Sequence, residues 1–260
     1  MSSVRLIENE WQFINELIYK IYSISDLREM RLTFLQLLRA LIPCDSLTFY
    51  LADPEAFMKD PVQVGLGDEL ANSWLSKKLY EQDYMRWVYL SGQTRVFRQS
   101  DFMPEKERRA SEYYKNAYIP IGIEYQLGLS LSYENAFLGV VSLYRNTGSP
   151  DFSAKDIYIL DAFKKHLAFR LKQESSSATP AKGIESYFFP GSKQQKMYHL
   201  TNREVEVLCD FASGISVEDA CSKLCITRST LHKHVLNIYR KFNVSSRYEL
   251  MSIINKFEGL

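Results

Sequence analysis

The stretch 226–247 reads ITRSTLHKHVLNIYRKFNVSSR and holds Arg228, Lys233, Arg240, Lys241 and Arg247 without one Asp or Glu. The whole chain carries a net charge of only +1. Composition therefore does not point to a polyanionic partner, but the distribution of charge does. On a 3.6-residue wheel of 228–242, Leu231, Val235, Ile238 and Phe242 fall in one arc. Ser229, Lys233, Leu236 and Arg240 lie opposite, with Asn237 beside them. The nearby acids, Glu204, Glu206, Asp210, Glu218 and Asp219, all lie upstream. A helix with one apolar side and one cationic, amide-bearing side suits phosphates and base edges in a major groove.

Other chemistry is thinner. Cys221-x3-Cys225 beside His232-x-His234 has zinc-ligand residue types. Cys221, however, falls at a small-residue packing position and Cys225 at a turn, so no metal and no cofactor is expected. His166 is the one His before residue 172, and Cys44 is its nucleophilic partner only by accident of folding. With no glycine-rich phosphate loop either, the chain does not read as an enzyme. All three Trp and thirteen of the seventeen Tyr precede residue 172. They line a pocket or fill a core; the residues alone leave both open. The pocket reading selects Tyr50, Trp74, Tyr84, Trp87 and Tyr125, with Asp83 and Arg98 as polar anchors.

These residues need elements to hold them. The 260 residues suit one large domain or two modest ones. The Ser, Pro, Gly and Gln-rich run KQESSSATPAKGIESYFFPGSKQQ separates them, although its SYFF is expected to pack back onto a domain. The expected division is 1–172, a linker at 173–198, and 199–260. The first portion opens with two amphipathic helices, with Trp11, Ile14, Ile18 and Ile21 on one and Leu27, Met30, Phe34, Leu37 and Leu41 on the other. SLTFYLA reads as a strand and VQVGLG as a weaker one; helices are expected over 69–82 and 104–117, with TRVFRQS extended between them. YQLGLSLSY and FLGVVSLYR form a hairpin around Glu134–Asn135, and Ser153 with Asp156 caps a helix over 153–172. The fold class is an α+β sandwich with an antiparallel sheet, followed by an all-α domain.

Four helices fill that second domain. Thr201 to Glu204 is a capping box, Gly214 ends the first helix, and Ser216, Thr227 and Ser246 start the others. Only CIT separates the second helix from the third, which forces a steep crossing, the helix-turn-helix arrangement. The start MSSVRLIENEW lacks a signal-peptide pattern, no long apolar run exists, and four Cys are too few for a disulfide framework, so a cytoplasmic protein off the membrane is expected.

The segment LTNREVEVLCDFASGISVEDACSKLCITRSTLHKHVLNIYRKFNVSSR resembles the LuxR-type (NarL- or GerE-type) helix-turn-helix domain. The resemblance is carried by Leu200-Thr201-x-Arg203-Glu204-x-Glu206-Val207-Leu208, Thr230-Leu231-x-x-His234 and Asn237-Ile238-x-x-Lys241-Phe242. It implies a bacterial transcription regulator that binds double-stranded DNA as a homodimer. His232, Lys233 and Leu236 would meet the groove, and Thr230, His234, Arg240 and Lys241 the phosphates, with Arg228, Ser229 and Asn237 completing the face. His232 stands where the family commonly has Lys, and Leu236 is apolar where a polar reader is frequent, which leaves base preference open. GLSLSYENAFLGVVSLYR with FSAKDIYILDAFKKHLAFRL resembles a GAF-like sensory domain. That resemblance implies a small-molecule effector; the alternative is a constitutive regulator whose N-terminal domain binds protein or dimerises. WLSKKLYEQDYMRWVYLSGQTRVF, through Trp74, Tyr80 and Asp83, is also similar to the acyl-homoserine-lactone domain of quorum regulators. Tyr84 stands where that pattern has Pro, and the Trp-to-Asp spacing is shorter, so that ligand is not assigned.

Overall fold

A computed structural model describes residues 4–53, 57–174, 187–213 and 217–257. The chain forms two compact units, Met1–Asp83 with Thr94–Pro180, and Tyr84–Gln93 with Ala181–Leu260. This differs from the expected division at 172 and 199 in two places. Residues 84–93 belong to the second unit, and the far end of the expected linker does too, because Phe188 is buried there against Tyr198 and Phe242. Gly214 and Ser216, and the linker residues 175–186, lie outside the described residues.

The first unit is a five-stranded antiparallel sheet in the order β2-β1-β5-β4-β3. The strands are β1 (Ser46–Asp53), β2 (Phe57–Val64), β3 (Arg95–Arg98), β4 (Ile123–Tyr133) and β5 (Ala136–Asn146). Glu134 and Asn135 both take positive φ, 49° and 64°, giving the tight turn whose twist matches a hairpin. β2 starts earlier than the apolar pattern suggests, and a register shift interrupts its pairing with β1. Pro61 has no amide to donate, and the edge position is where a strand tolerates that.

The sheet has two chemically different faces. Leu47, Phe49, Leu127, Leu129, Val141 and Leu143 form one core with helices α1 (Glu8–Ser23), α2 (Leu27–Leu41), α6 (Ala154–Ala162) and α7 (Lys164–Glu174). The alternate residues Thr48, Tyr50, Gln126, Ser142 and Tyr144 point the other way. Gly128 is needed on that second face because a Cβ there would lie 2.1 Å from the Phe97 ring.

On both faces some helices are shorter than their sequences suggest. The expected helix 69–82 stops as α3 (Asp68–Ser76), since Lys78 turns left-handed at φ 50°. The expected helix 104–117 is α5 (Glu105–Ala110), then a wide turn over Tyr114–Tyr118 started by the Ser111 hydroxyl. The expected helix 153–172 breaks between α6 and α7 at Phe163, whose fully buried ring meets Phe34 edge-on. The Ser153–Asp156 capping box is formed.

The second unit holds α4 (Arg86–Leu90), α8 (Lys193–Met197), α9 (Asn202–Ser213), α10 (Val217–Leu224), α11 (Arg228–Phe242) and α12 (Arg247–Phe257). Its core includes Val205, Leu208, Ala220, Leu231, Ile238 and Leu250. No helix among the described residues is long and apolar enough to cross a membrane.

Candidate nucleic-acid interface and ligand cavity

The turn between α10 and α11 is set locally. Cys225 takes φ 52°, and the Ile226 amide returns to the Cys221 carbonyl at 3.0 Å, closing the end of α10. Thr227 then caps α11, its hydroxyl accepting from the Thr230 amide at 3.2 Å. Leu231, Ile238 and Phe242 are buried, and Tyr198 stacks on Phe242 with ring centroids 3.9 Å apart. This docking fixes which side of α11 faces outward. Ser229, His232, Lys233, Leu236 and Arg240 are exposed, while Thr230, His234 and Asn237 are half-buried at the flanks.

The five cations of the stretch do not share one fate. Arg228 pairs with Glu218 at the start of α10. Lys241 donates to Glu204 at 2.5 Å and to the His199 carbonyl at 2.7 Å, so it is built into the domain rather than presented with Lys233. Burial opposes ionisation of Glu204, but the Lys241 ammonium and the Thr201 amide and hydroxyl outweigh it and hold the carboxyl below its usual range. Arg247 donates to the Phe211 carbonyl at 2.7 Å and lies over its ring. Lys233 and Arg240 remain on the outward side and make no ion pair among the described residues; Arg240 reaches only the neutral Asn237 amide, at 3.3 Å. The uncompensated charge is thus narrower than the sequence suggests, because acids distant in sequence fold back onto Arg228 and Lys241.

In the first unit, the polar sheet face bounds a cavity of about 90 Å³ lined in part by Thr48, Tyr50, Trp74, Tyr113, Tyr118 and Tyr144. That exceeds the ~10–15 Å³ that admits one water. Lys77 and Asn116 add polar groups to its wall. Tyr50 and Trp74 lie 5.1 Å apart, and the Trp74 indole donates to the Tyr113 hydroxyl at 3.0 Å. Behind the wall runs a buried relay in which Tyr118 donates to Gln126 at 2.7 Å and Gln126 donates to Ser142 at 3.0 Å. Burial pushes the Tyr50 and Tyr144 hydroxyls up, so both stay protonated and can donate.

Residues 198–254 match the family model of bacterial regulatory proteins, LuxR family. The C-terminal unit carries a LuxR-family helix-turn-helix. Over 57 residues, 22% of this chain, it is 39% identical to the nitrate/nitrite response regulator protein NarP of Escherichia coli strain K12. The chain spans about a quarter, 26%, of that relative's length. Among solved structures, Escherichia coli SdiA is similar with TM-score 0.47 and 14% identity, over 96% of this chain and 98% of SdiA. The GAF domain/HD domain protein of Geobacter sulfurreducens is similar with TM-score 0.46 and 15% identity, over 60% of this chain and 99% of that one.

In the LuxR-type unit, α9 to α12 are the four helices read from the sequence, with α10, α11 and α12 at the expected bounds. The expected pocket residues scatter more widely. Tyr50 and Trp74 line the cavity, and buried Asp83 acts on the titration of Tyr144 in its wall. Tyr125 instead lies under the Arg108 guanidinium, and Arg98 is consumed by Asp101 and the Phe152 carbonyl. Tyr84 and Trp87 are buried in the second unit. Sequence reasoning does not find Thr48, Tyr113, Tyr118 and Tyr144. The signal for Thr48 and Tyr144 is the polar alternation within two otherwise apolar strands.

Cys44 and His166 have separate environments. Burial pushes the Cys44 thiol up to about 12, and the His166 ring bonds the Tyr22 hydroxyl at 3.0 Å.

Proposed function

We propose that the protein is a transcription regulator that binds double-stranded DNA through the outer side of α11, as a homodimer, and answers to a small molecule held in the N-terminal cavity. The observation that carries the first part is the outward pair Lys233 and Arg240, exposed and without an ion pair among the described residues, while Arg228 and Lys241 on the same helix are neutralised by carboxylates. Cations held in water next to an apolar docking face are available to phosphates. Leu236 lies between them along the helix and His232 precedes Lys233, as base-edge or thymine-methyl contacts. Two copies would meet half-sites about 34 Å apart or a multiple of it. An aromatic stripe on α1, α6 and α7, with Trp11, Tyr22, Tyr158 and Phe169 all exposed, offers the face for the second copy. Such a regulator works in the cytoplasm.

Binding of fluorescent duplex, selected from a random-sequence pool, across salt concentrations tests the reading. Affinity undiminished in both Lys233→Ala and Arg240→Ala would refute the α11 face. The second reading is a constitutive regulator whose N-terminal unit only dimerises or binds protein. The cavity and its aromatic wall favour the ligand. A thermal-shift screen decides, because a true effector raises the melting temperature by mass action.

A further inference from the structure

Ten residues of the C-terminal unit come from the middle of the N-terminal chain. Tyr84–Gln93 is grouped with Ala181–Leu260, and within that unit its helix α4 packs on α9 and α12. Tyr84, Met85, Trp87, Val88 and Tyr89 are all buried, an apolar density that an exposed loop between α3 and β3 would not carry. Arg247, the first residue of α12, sits between two rings. Its guanidinium lies 4.8 Å from the Trp87 ring centroid and 4.2 Å from that of Phe211, and it also donates to the Phe211 carbonyl. A planar cation suits such a double stack, and lysine would not replace it.

Both ends of this segment are anchored in the other unit. Upstream, Trp74, Lys77 and Leu79 line the cavity, and Asp83 is the last residue before the segment. Downstream, the Thr94 hydroxyl donates to the Ser132 carbonyl and accepts from its amide at 2.8 Å, pinning the chain to β4 as β3 begins. Gly92, at φ 68°, makes the turn between. The chain therefore leaves the cavity wall for the second unit after Asp83 and returns to the first at Thr94.

We infer that Tyr84–Gln93 is a strap that carries the state of the cavity to the DNA-binding unit, locked by Arg247 between Trp87 and Phe211. The inference rests on the proposed ligand and DNA readings. A ligand that changes the path of Trp74 to Leu79 changes the tension on a segment whose body is packed under α12. By reciprocity, unlocking the strap alters the cavity wall.

Hydrogen exchange by mass spectrometry on the full chain tests this, with a filled cavity in place of an identified ligand. Ala117 lines the cavity, and Ala117→Met puts a flexible side chain into it. Arg247→Lys should raise exchange of 84–93 at least tenfold and also change exchange at 113–118, in the other unit. A merely structural arginine would leave 113–118 unmoved. Ala117→Met should change exchange of 84–93 while leaving α10 as it was. Unchanged exchange of 84–93 in either variant overturns the inference. Protection across β4 and β5 reports whether Ala117→Met folds, and Ala117→Val replaces it if that protection is lost. If no compound raises the melting temperature while Ala117→Met still moves the strap, the ligand reading alone fails. If a compound raises it and 84–93 does not respond, the strap alone fails.

Discussion

Long cations meet opposite fates in the N-terminal core and on the outer side of α11. In the N-terminal unit Arg31, Arg108 and Arg170 are buried, and each is bonded both to a carboxylate and to backbone carbonyls. Arg170 reaches the carbonyls of Ile21, Ile24 and Ser25, tying α7 to the end of α1. Arg108 lies between the Tyr114 and Tyr125 rings and pairs with Glu124. In the C-terminal unit Lys233 and Arg240 stay in water. A cation goes inside only where a carboxylate and carbonyls replace its hydration, and it stays outside where they are absent. Charge count along a segment therefore does not define a binding face. The proposed face is set instead by the cations that the fold leaves without acids, on α11 Lys233 and Arg240.

The contrast fails first if Arg108 proves dispensable. Arg108→Ala takes the buried cation from the Glu124 carboxylate, itself 3% exposed, leaves it only the Tyr114 hydroxyl and the half-exposed Arg109, and removes the filling between two rings. The expected loss is about 3–5 kcal/mol from the N-terminal unit, measured by urea denaturation of the full chain. The same pair has a pH signature. Burial opposes the charge on Glu124, yet the Tyr114 hydroxyl and the Arg108 guanidinium hold its carboxyl below the ordinary range. A depressed carboxyl contributes stability at neutral pH that is lost as pH falls through its lowered pKa. The acid limb of stability should therefore flatten in Glu124→Gln.

How much of this is legible in the sequence depends on how far the deciding contact reaches along the chain. Thr227 capping α11, the Glu134–Asn135 turn and the Ser153–Asp156 box are contacts within a few residues, so residue type and spacing announce them. Trp87 reads as a pocket residue by aromatic type and fold analogy, but its surroundings are Arg247 and α12, set by tertiary packing. Lys241 reads as a phosphate contact through the family resemblance; Glu204, its partner, lies 37 residues upstream. The cavity wall is half legible. Tyr50 and Trp74 stand out as aromatics, while Tyr113 and Tyr118 sit in a turn that the helical pattern of 104–117 conceals.

A middle-sized effect separates cations on one helix. Lys241→Met removes the partner of Glu204, 3% exposed, and should cost about 2 kcal/mol of C-terminal stability. The loss should shrink at low pH, where the Glu204 carboxyl is protonated in either protein and the missing ammonium no longer matters. Thermal unfolding at several pH values checks this, and an equal loss at every pH would show that Lys241 acts by packing.

The smallest effect on stability is expected at the residues proposed to matter most for DNA. Lys233→Ala and Arg240→Ala remove exposed side chains that make no ion pair among the described residues, so unfolding free energy should move by no more than about 0.5 kcal/mol. Duplex affinity should nevertheless fall, with the slope of log affinity against log salt reduced by about 1 for each phosphate the variant no longer neutralises. If one variant weakens binding without changing that slope and relaxes preference at one base pair, the residue reads a base rather than a phosphate. The stability measurement gives the binding result its meaning: an affinity loss accompanied by unfolding would place that cation with Arg108, inside the fold's own network of charge, and not on a surface kept for a partner.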